Sequence, residues 1–251
     1  MKVALTLPLG KRSSSSELAE RYGFELLPLH VLELVPRGCE EIRAQVGELE
    51  GYDWVVLTSA YGVEVMHRCF GAELSKLRLA CVGGKTAEAL RRLGLSPSLV
   101  PEEYRGAALA EALREVGAGS RVLLARASAG GEELAERLRS FAEVVEVHIY
   151  DTRLPERLES VHRFMEHLAR GELTGVVFTS PLSVEHLLRV APEAVEHLRK
   201  LPVVAIAPST REALERRGIL ARMPARYTVE ECFKLLRGML DEQGDSVATL
   251  L

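Results

Sequence analysis

Hydroxyl side chains close several apolar runs in this chain, each just before a helical pattern. Thr58 and Ser59 end the run DWVVL, and Thr179 and Ser180 end GVVF. Gly84, Lys85 and Thr86 follow LACV in the same way, as Ser209 and Thr210 follow VVAI. In an open α/β sheet, ligands sit at the carboxyl ends of the strands. The helices that follow present free backbone N–H groups and partial positive charge, which bind anions. The candidate tips are residues 7–16, 58–62, 83–86, 126–131, 179–183 and 207–210, rich in Ser, Thr and Gly. Taken singly, each hydroxyl is a helix cap worth about 1 kcal/mol. Taken together, they suit a ligand carrying several carboxylates or phosphates.

These tips recur because the chain is written twice. Residues 53–95 read DWVVLTSAYGVEVM, a spacer, then LACVGGKTAEALRRLGL, and residues 174–219 answer with TGVVFTSPLSVEHLL, a spacer, then VVAIAPSTREALERRGI. The flanks repeat as well: KVALTLPLG, ELAER and an apolar run to Pro36 are matched by RVLLARASAGG, ELAER and an apolar run to Pro155. A period of about 120 residues is too long for a solenoid and implies two like domains with a cleft between them.

The apolar runs are short and uninterrupted, as in strands covered on both faces. Helix starts are marked by Ser14 with Glu17, by Ser180 before Pro181, and by Ser209 with Glu212; stops are marked by Gly94 and Gly218. Strand alternating with helix gives an α/β fold of two similar domains, each a mainly parallel sheet flanked by helices. Residues 24–36 and 144–155 are longer than one strand, and each closes on a proline. If they pair, a two-stranded β ribbon of 29–36 and 147–155 joins a discontinuous first domain, 1–28 plus 156–251, to a second, 37–146. A continuous cut near residue 117 is the competing division.

Composition narrows the function classes. The 251 residues are 47% hydrophobic, enough for two ordinary cores, and the formal charge of −4 argues against non-specific nucleic-acid binding. The opening MKVALTLP is too short to span a membrane and has no cleavage pattern after it, so a cytoplasmic protein without membrane contact is expected. Cys39, Cys69, Cys81 and Cys232 lie far apart in apolar contexts without metal spacing, and disulfides are not expected. Asparagine is absent and Arg outnumbers Lys, which fits a thermophile or a GC-rich genome. Monomer is the expected state, since duplication already supplies the twofold-like cleft.

Several motifs are near misses. Val82-Gly83-Gly84-Lys85-Thr86 looks like a phosphate loop, but the required first glycine falls at Leu79. No nucleophile elbow occurs, His162 and His167 do not share a helical face, and His67 with Cys69 cannot converge on a metal. His148 reads as a solvated or packed side chain. No cofactor is called for.

The VLTS and VFTSP turns, the VGGKTAEALRRLG and IAPSTREALERRG segments, and the LLPLHVLEL and VEVHIYDT crossings together resemble the uroporphyrinogen-III synthase family. The likeness covers about residues 1–236. One departure is Ala207, where the family commonly carries glycine before the Pro-Ser-Thr turn.

The resemblance implies two α/β domains joined by a two-stranded ladder and a substrate, hydroxymethylbilane, that is a linear tetrapyrrole rich in carboxylates. Such an enzyme removes the terminal hydroxyl as water, lets the resulting azafulvene be attacked by ring D through its substituted carbon, and recloses the spiro intermediate with ring D inverted. Thr58, Ser59, Gly84, Lys85, Thr86, Ser180, Ser209 and Thr210 would bind carboxylates, with Lys85 and Arg126 as side-chain cations. Tyr150, in VHIYDT, matches a family tyrosine proposed to assist loss of the hydroxyl, and a protonated phenol is able to donate to a leaving oxygen. The alternative is a non-catalytic two-lobed module that closes on a polyanionic small molecule.

Overall fold

The computed structural model describes residues 1–10, 15–103 and 106–248, with side chains described through residue 242. The helix cap expected at Ser14 and the tip residues 11–14 lie outside the described residues. The chain divides into two compact units, Met1–Glu33 with Arg153–Leu251, and Leu34–Thr152.

The elements run β1 (Lys2–Pro8), α1 (Ser15–Arg21), β2 (Glu25–Pro36), α2 (Cys39–Val46), β3 (Trp54–Leu57), α3 (Ala60–Phe70), β4 (Arg78–Cys81) and α4 (Gly84–Arg92). Then come α5 (Gly106–Gly117), β5 (Arg121–Ala127), α6 (Glu133–Arg139) and β6 (Glu143–Arg153). The chain ends with α7 (Glu159–Ala169), β7 (Leu173–Phe178), α8 (Pro181–Val190), α9 (Ala194–Leu198), β8 (Val203–Ala205), α10 (Pro208–Glu215) and α11 (Val229–Ala248). Helix α11 thus continues past Gly244.

The first unit orders its strands β2-β1-β7-β8 and the second β6-β5-β3-β4, with parallel pairing within each. The two orders are the same once duplicated strands are equated. Even the irregularities repeat. Lys2 pairs with Glu25 and Arg121 with Glu143; then each ladder skips a residue on the longer strand, so that Pro8 meets Leu32 and Ala127 meets Tyr150. A bulge of this kind bends its strand and re-aims the next side chain. Strands β2 and β6 carry the chain across the unit boundary.

Both sheets are covered on both faces, which is why their strands read as unbroken apolar runs. In the second unit Val55, Leu57, Leu79 and Leu123 pack under α3 and α4, whereas Val56, Ala80, Val122 and Leu124 pack under α5 and α6. In the first, Ala4, Val176, Phe178 and Val203 face α7 to α10, whereas Val3, Leu5, Val177 and Val204 face α1 and α11. The two copies solve one packing problem in opposite ways. A Cβ on Gly117 would sit 3.1 Å from Trp54 Nε1, and a Cβ on Gly175, the register equivalent of Trp54, would sit 2.7 Å from Leu236 Cδ1. The bulk is on the strand in one copy and on the helix in the other.

Helices α4 and α10 give way to Gly94 and Gly218, at φ 75° and 69°, as their glycines predict. Helix α8 starts at Ser180 with Pro181 in its first position, also as predicted. Two expectations are corrected. Helix α10 is capped by Ala207, with Pro208 in the first turn, so Ser209 and Glu212 lie inside the helix and do not form its capping box. Cys39 and Cys69 form a disulfide, because α2 and α3 bring residues thirty apart in sequence to a Cα separation of 5.1 Å. Cys81 and Cys232 are buried and stand outside this disulfide. Among the described residues, no helix is long and apolar enough to cross a membrane.

Candidate functional site

In the second unit, β3 delivers Thr58 and Ser59 to the start of α3. Ser59 is the N-cap, and its Oγ accepts from the Gly62 backbone N–H at 2.9 Å. The same oxygen lies 2.9 Å from the hydroxyl of Tyr150, which the bulge in β6 presents to it. Tyr150 is only 6% exposed. Burial raises its phenol above the ordinary range, an effect the Ser59 bond partly offsets. The group is therefore protonated at neutral pH and available as a donor. Tyr61, in the first turn of α3, stands edge-on to the Tyr150 ring at 5.0 Å and 87°, and its own hydroxyl donates to the Leu34 carbonyl at 3.3 Å.

Beside this, β4 leads through Gly83, the N-cap of α4, to Gly84, Lys85 and Thr86. Lys85 is exposed and Thr86 buried, and Thr86 N–H bonds the Gly83 carbonyl at 3.1 Å. The start of α4 thus combines a side-chain cation with backbone donors.

Arg126 is placed otherwise than as a substrate-facing cation. It is 3% exposed, donates from Nε to Glu146 at 2.7 Å, and reaches Glu132 at 3.4 Å and the Gly131 carbonyl. Glu146 is also held by Arg139 at 2.7 Å and by His148 Nε2 at 3.1 Å. Burial works to raise the Glu146 carboxyl, but the Arg126 and His148 contacts prevail and hold it below the usual carboxylate range. The guanidinium fastens the 126–131 tip instead of opening from it.

In the first unit, Ser180 caps α8 in a reciprocal box with Ser183, the two side chains each bonding the other's backbone N–H at 3.1 and 3.3 Å. Thr179 is tied to Thr6: its N–H donates to Thr6 Oγ1 at 2.8 Å, and its Oγ1 donates to the Thr6 carbonyl at 2.9 Å. Thr6 is fully buried and was not singled out by the sequence, although a hydroxyl inside the apolar run VALTL is the signal that marks it. At the start of α10 Ser209 is exposed, while Thr210 is 1% exposed with an unpartnered Oγ1. Each unit therefore offers two helix starts lined by the residues picked from sequence. Among the described residues, no group of His, Cys, Asp and Glu is placed to hold a metal ion.

The comparisons agree on one family. A family model described as uroporphyrinogen-III synthase HemD matches residues 13–234. The chain is 32% identical over 253 residues to a putative uroporphyrinogen-III synthase of Methanothermobacter thermautotrophicus, covering 97% of this chain and all of that one. It is 26% identical to a uroporphyrinogen-III synthase of Synechococcus elongatus, over 82% of this chain and 81% of that one. A solved uroporphyrinogen III synthase of Thermus thermophilus superposes with a TM-score of 0.65 at 24% identity, covering 98% of this chain and 99% of that one, and shows the same fold.

Proposed function

The chain belongs to the uroporphyrinogen-III synthase family, cyclising lyases of tetrapyrrole biosynthesis, and from that premise we propose how its own residues carry the reaction. Hydroxymethylbilane is the substrate. Its carboxylates are taken by the helix starts at Ser59 and Gly83 in the second unit and at Ser180 and Ala207 in the first. Thr58, Ser59, Gly84, Lys85, Thr86, Ser180, Ser209 and Thr210 line those starts. Backbone N–H groups bind carboxylates without fixed counter-charges, which accounts for a protein of net charge −4 accepting a polyanion. Arg126 supports one tip from below and is not assigned a carboxylate.

The bilane closes unaided to the symmetric isomer, so the protein's task is to select one closure, and orientation supplies that. Tyr150 donates its phenolic proton to the terminal hydroxyl. The C–O bond breaks with its electron pair on oxygen, water leaves, and the pyrrole nitrogen's electrons push in to give the protonated azafulvene, whose exocyclic methylene carbon is then attacked by the substituted carbon of ring D. Ser59 stabilises the phenolate oxygen while its proton is away. The observation that carries this role is the 2.9 Å contact of a buried, protonated phenol with the Ser59 cap.

The test is to add purified protein to freshly generated hydroxymethylbilane, oxidise the products and separate the uroporphyrin isomers. Predominantly type III product is expected. Type I alone, at the rate of the control without protein, would overturn the reading in favour of a binding module that does no chemistry.

A further inference from the structure

Resting on the reading of Tyr150 as proton donor, we propose that Tyr61 is a positioning residue that fixes the direction of the Tyr150 phenol. A phenol ring on a strand is free to turn about its χ angles unless its faces and edges are occupied. Here the hydroxyl end is set by Ser59 at 2.9 Å, but one hydrogen bond to a hydroxyl rotor leaves the ring plane open. The ring plane is set by Tyr61, which meets it at 87° with centroids 5.0 Å apart, the edge-to-face arrangement that aromatic quadrupoles favour.

Tyr61 is itself anchored at both ends. Its backbone lies in the first turn of α3, and its hydroxyl donates to Leu34 O on β2 at 3.3 Å. The two bonds, Tyr150 to Ser59 and Tyr61 to Leu34, tie the start of α3 to β6 and to β2. Gly62 lets the helix approach this closely, since a Cβ there would lie 3.1 Å from Ser59 Oγ, 3.4 Å from Ile149 Cδ1 and 3.9 Å from Tyr150 Cε1. The corresponding start of α8 carries Leu182 where α3 carries Tyr61, and the strand β2 carries Leu32 where β6 carries Tyr150. Both partners of the aromatic pair are thus absent from the other copy. The pair belongs to the chemistry of one unit, not to the shared architecture.

Two measurements on the intact protein test this. The first is NMR of ring-labelled tyrosines without substrate. Slow flipping of the Tyr150 ring is expected in the native protein and in Tyr61→Phe, and fast flipping in Tyr61→Leu; equal behaviour in all three would overturn the clamp. The second is steady-state turnover with hydroxymethylbilane. Tyr61→Leu is expected to lose about tenfold in kcat with KM nearly unchanged, Tyr61→Phe to recover most of it, and Tyr61→Leu to add no loss in a Tyr150→Phe background. An equal loss in that background, or a change confined to KM, would overturn the positioning role. Should Tyr61→Leu fail to fold, Tyr61→Met keeps a long flexible apolar side chain in the space and is read in the same way. If Tyr150→Phe turns over like the native protein, the proton-donor reading fails and the positioning role with it, while ring flipping still reports whether Tyr61 holds the ring.

Discussion

Cys39, the first residue of α2, is joined to Cys69, in the last turn of α3, by a disulfide whose closed loop spans a sequence separation of 30 residues. Helix α3 is also the helix whose start holds Ser59 and Tyr61. Closing a loop of that length stabilises the folded chain by about 3 to 4 kcal/mol in the chain-entropy view. The bond is confined to the second unit, and both remaining cysteines are buried away from exchange. Reduction, or Cys39→Ser, is expected to lower the thermal midpoint of the second unit by several degrees. The first unit should melt unchanged. Calorimetry with and without reductant, with thiol counting on the unfolded protein, checks this; four reactive thiols in protein purified without reductant would contradict the bond.

Tyr150→Phe removes the proton that leaves with the hydroxyl and keeps the ring against Tyr61. Since general acid catalysis contributes about a hundred- to ten-thousand-fold, turnover to uroporphyrinogen III is expected to fall by more than tenfold. The fold should survive, because only the Ser59 contact is lost from the ring. Isomer analysis alongside circular dichroism decides it. Unchanged turnover would remove Tyr150 from the chemistry.

Glu146 gives the protein an acid-sensitive joint. Its folded carboxyl lies below the usual range, so its contribution is present above the unfolded value, about 4.3, and is lost as pH falls through the folded value. Glu146→Gln leaves the guanidinium of Arg126, 3% exposed, without its nearest counter-charge and is expected to cost about 3 to 5 kcal/mol at pH 7. The gap between variant and native should narrow as pH falls below 4. Denaturant midpoints measured from pH 7 to pH 3 test the sign; a constant gap would refute the linkage.

What the sequence reveals and what it hides follow from the range of the forces involved. The strands themselves, the helix stops at Gly94 and Gly218, and the hydroxyls at strand ends are legible because each is written locally and then written again. Contacts between distant residues are not. Tyr150 and Ser59 are 91 residues apart, and Thr6 and Thr179 are 173 apart. No periodicity reports such pairs. Arg126 looks like a free cation because its partners Glu132 and Glu146 meet it only once β5, β6 and the 126–131 turn have folded together. The Ser209 box is a good local signal overruled by Pro208, whose fixed φ suits the first helical position and moves the cap back to Ala207.

Gly62 separates the packing role of the α3 start from its chemical role. In Gly62→Ala the new methyl meets Ser59 Oγ at 3.1 Å, and that oxygen is already engaged by the Gly62 N–H and the Tyr150 hydroxyl. Ser59 yields by giving up one of the two. Loss of the cap bond costs about 1 kcal/mol, whereas loss of the Tyr150 bond leaves stability nearly intact and misdirects the phenol, for a drop of about tenfold in turnover. Gly238→Ala is the control: its Cβ meets nothing within 4 Å, and on helix α11 it is expected to stabilise by about 0.5 to 1 kcal/mol with turnover unchanged. Paired measurement of denaturant midpoint and kcat for both variants reads the two roles apart. Full turnover in Gly62→Ala would mean that the close approach of α3 to Tyr150 serves packing alone.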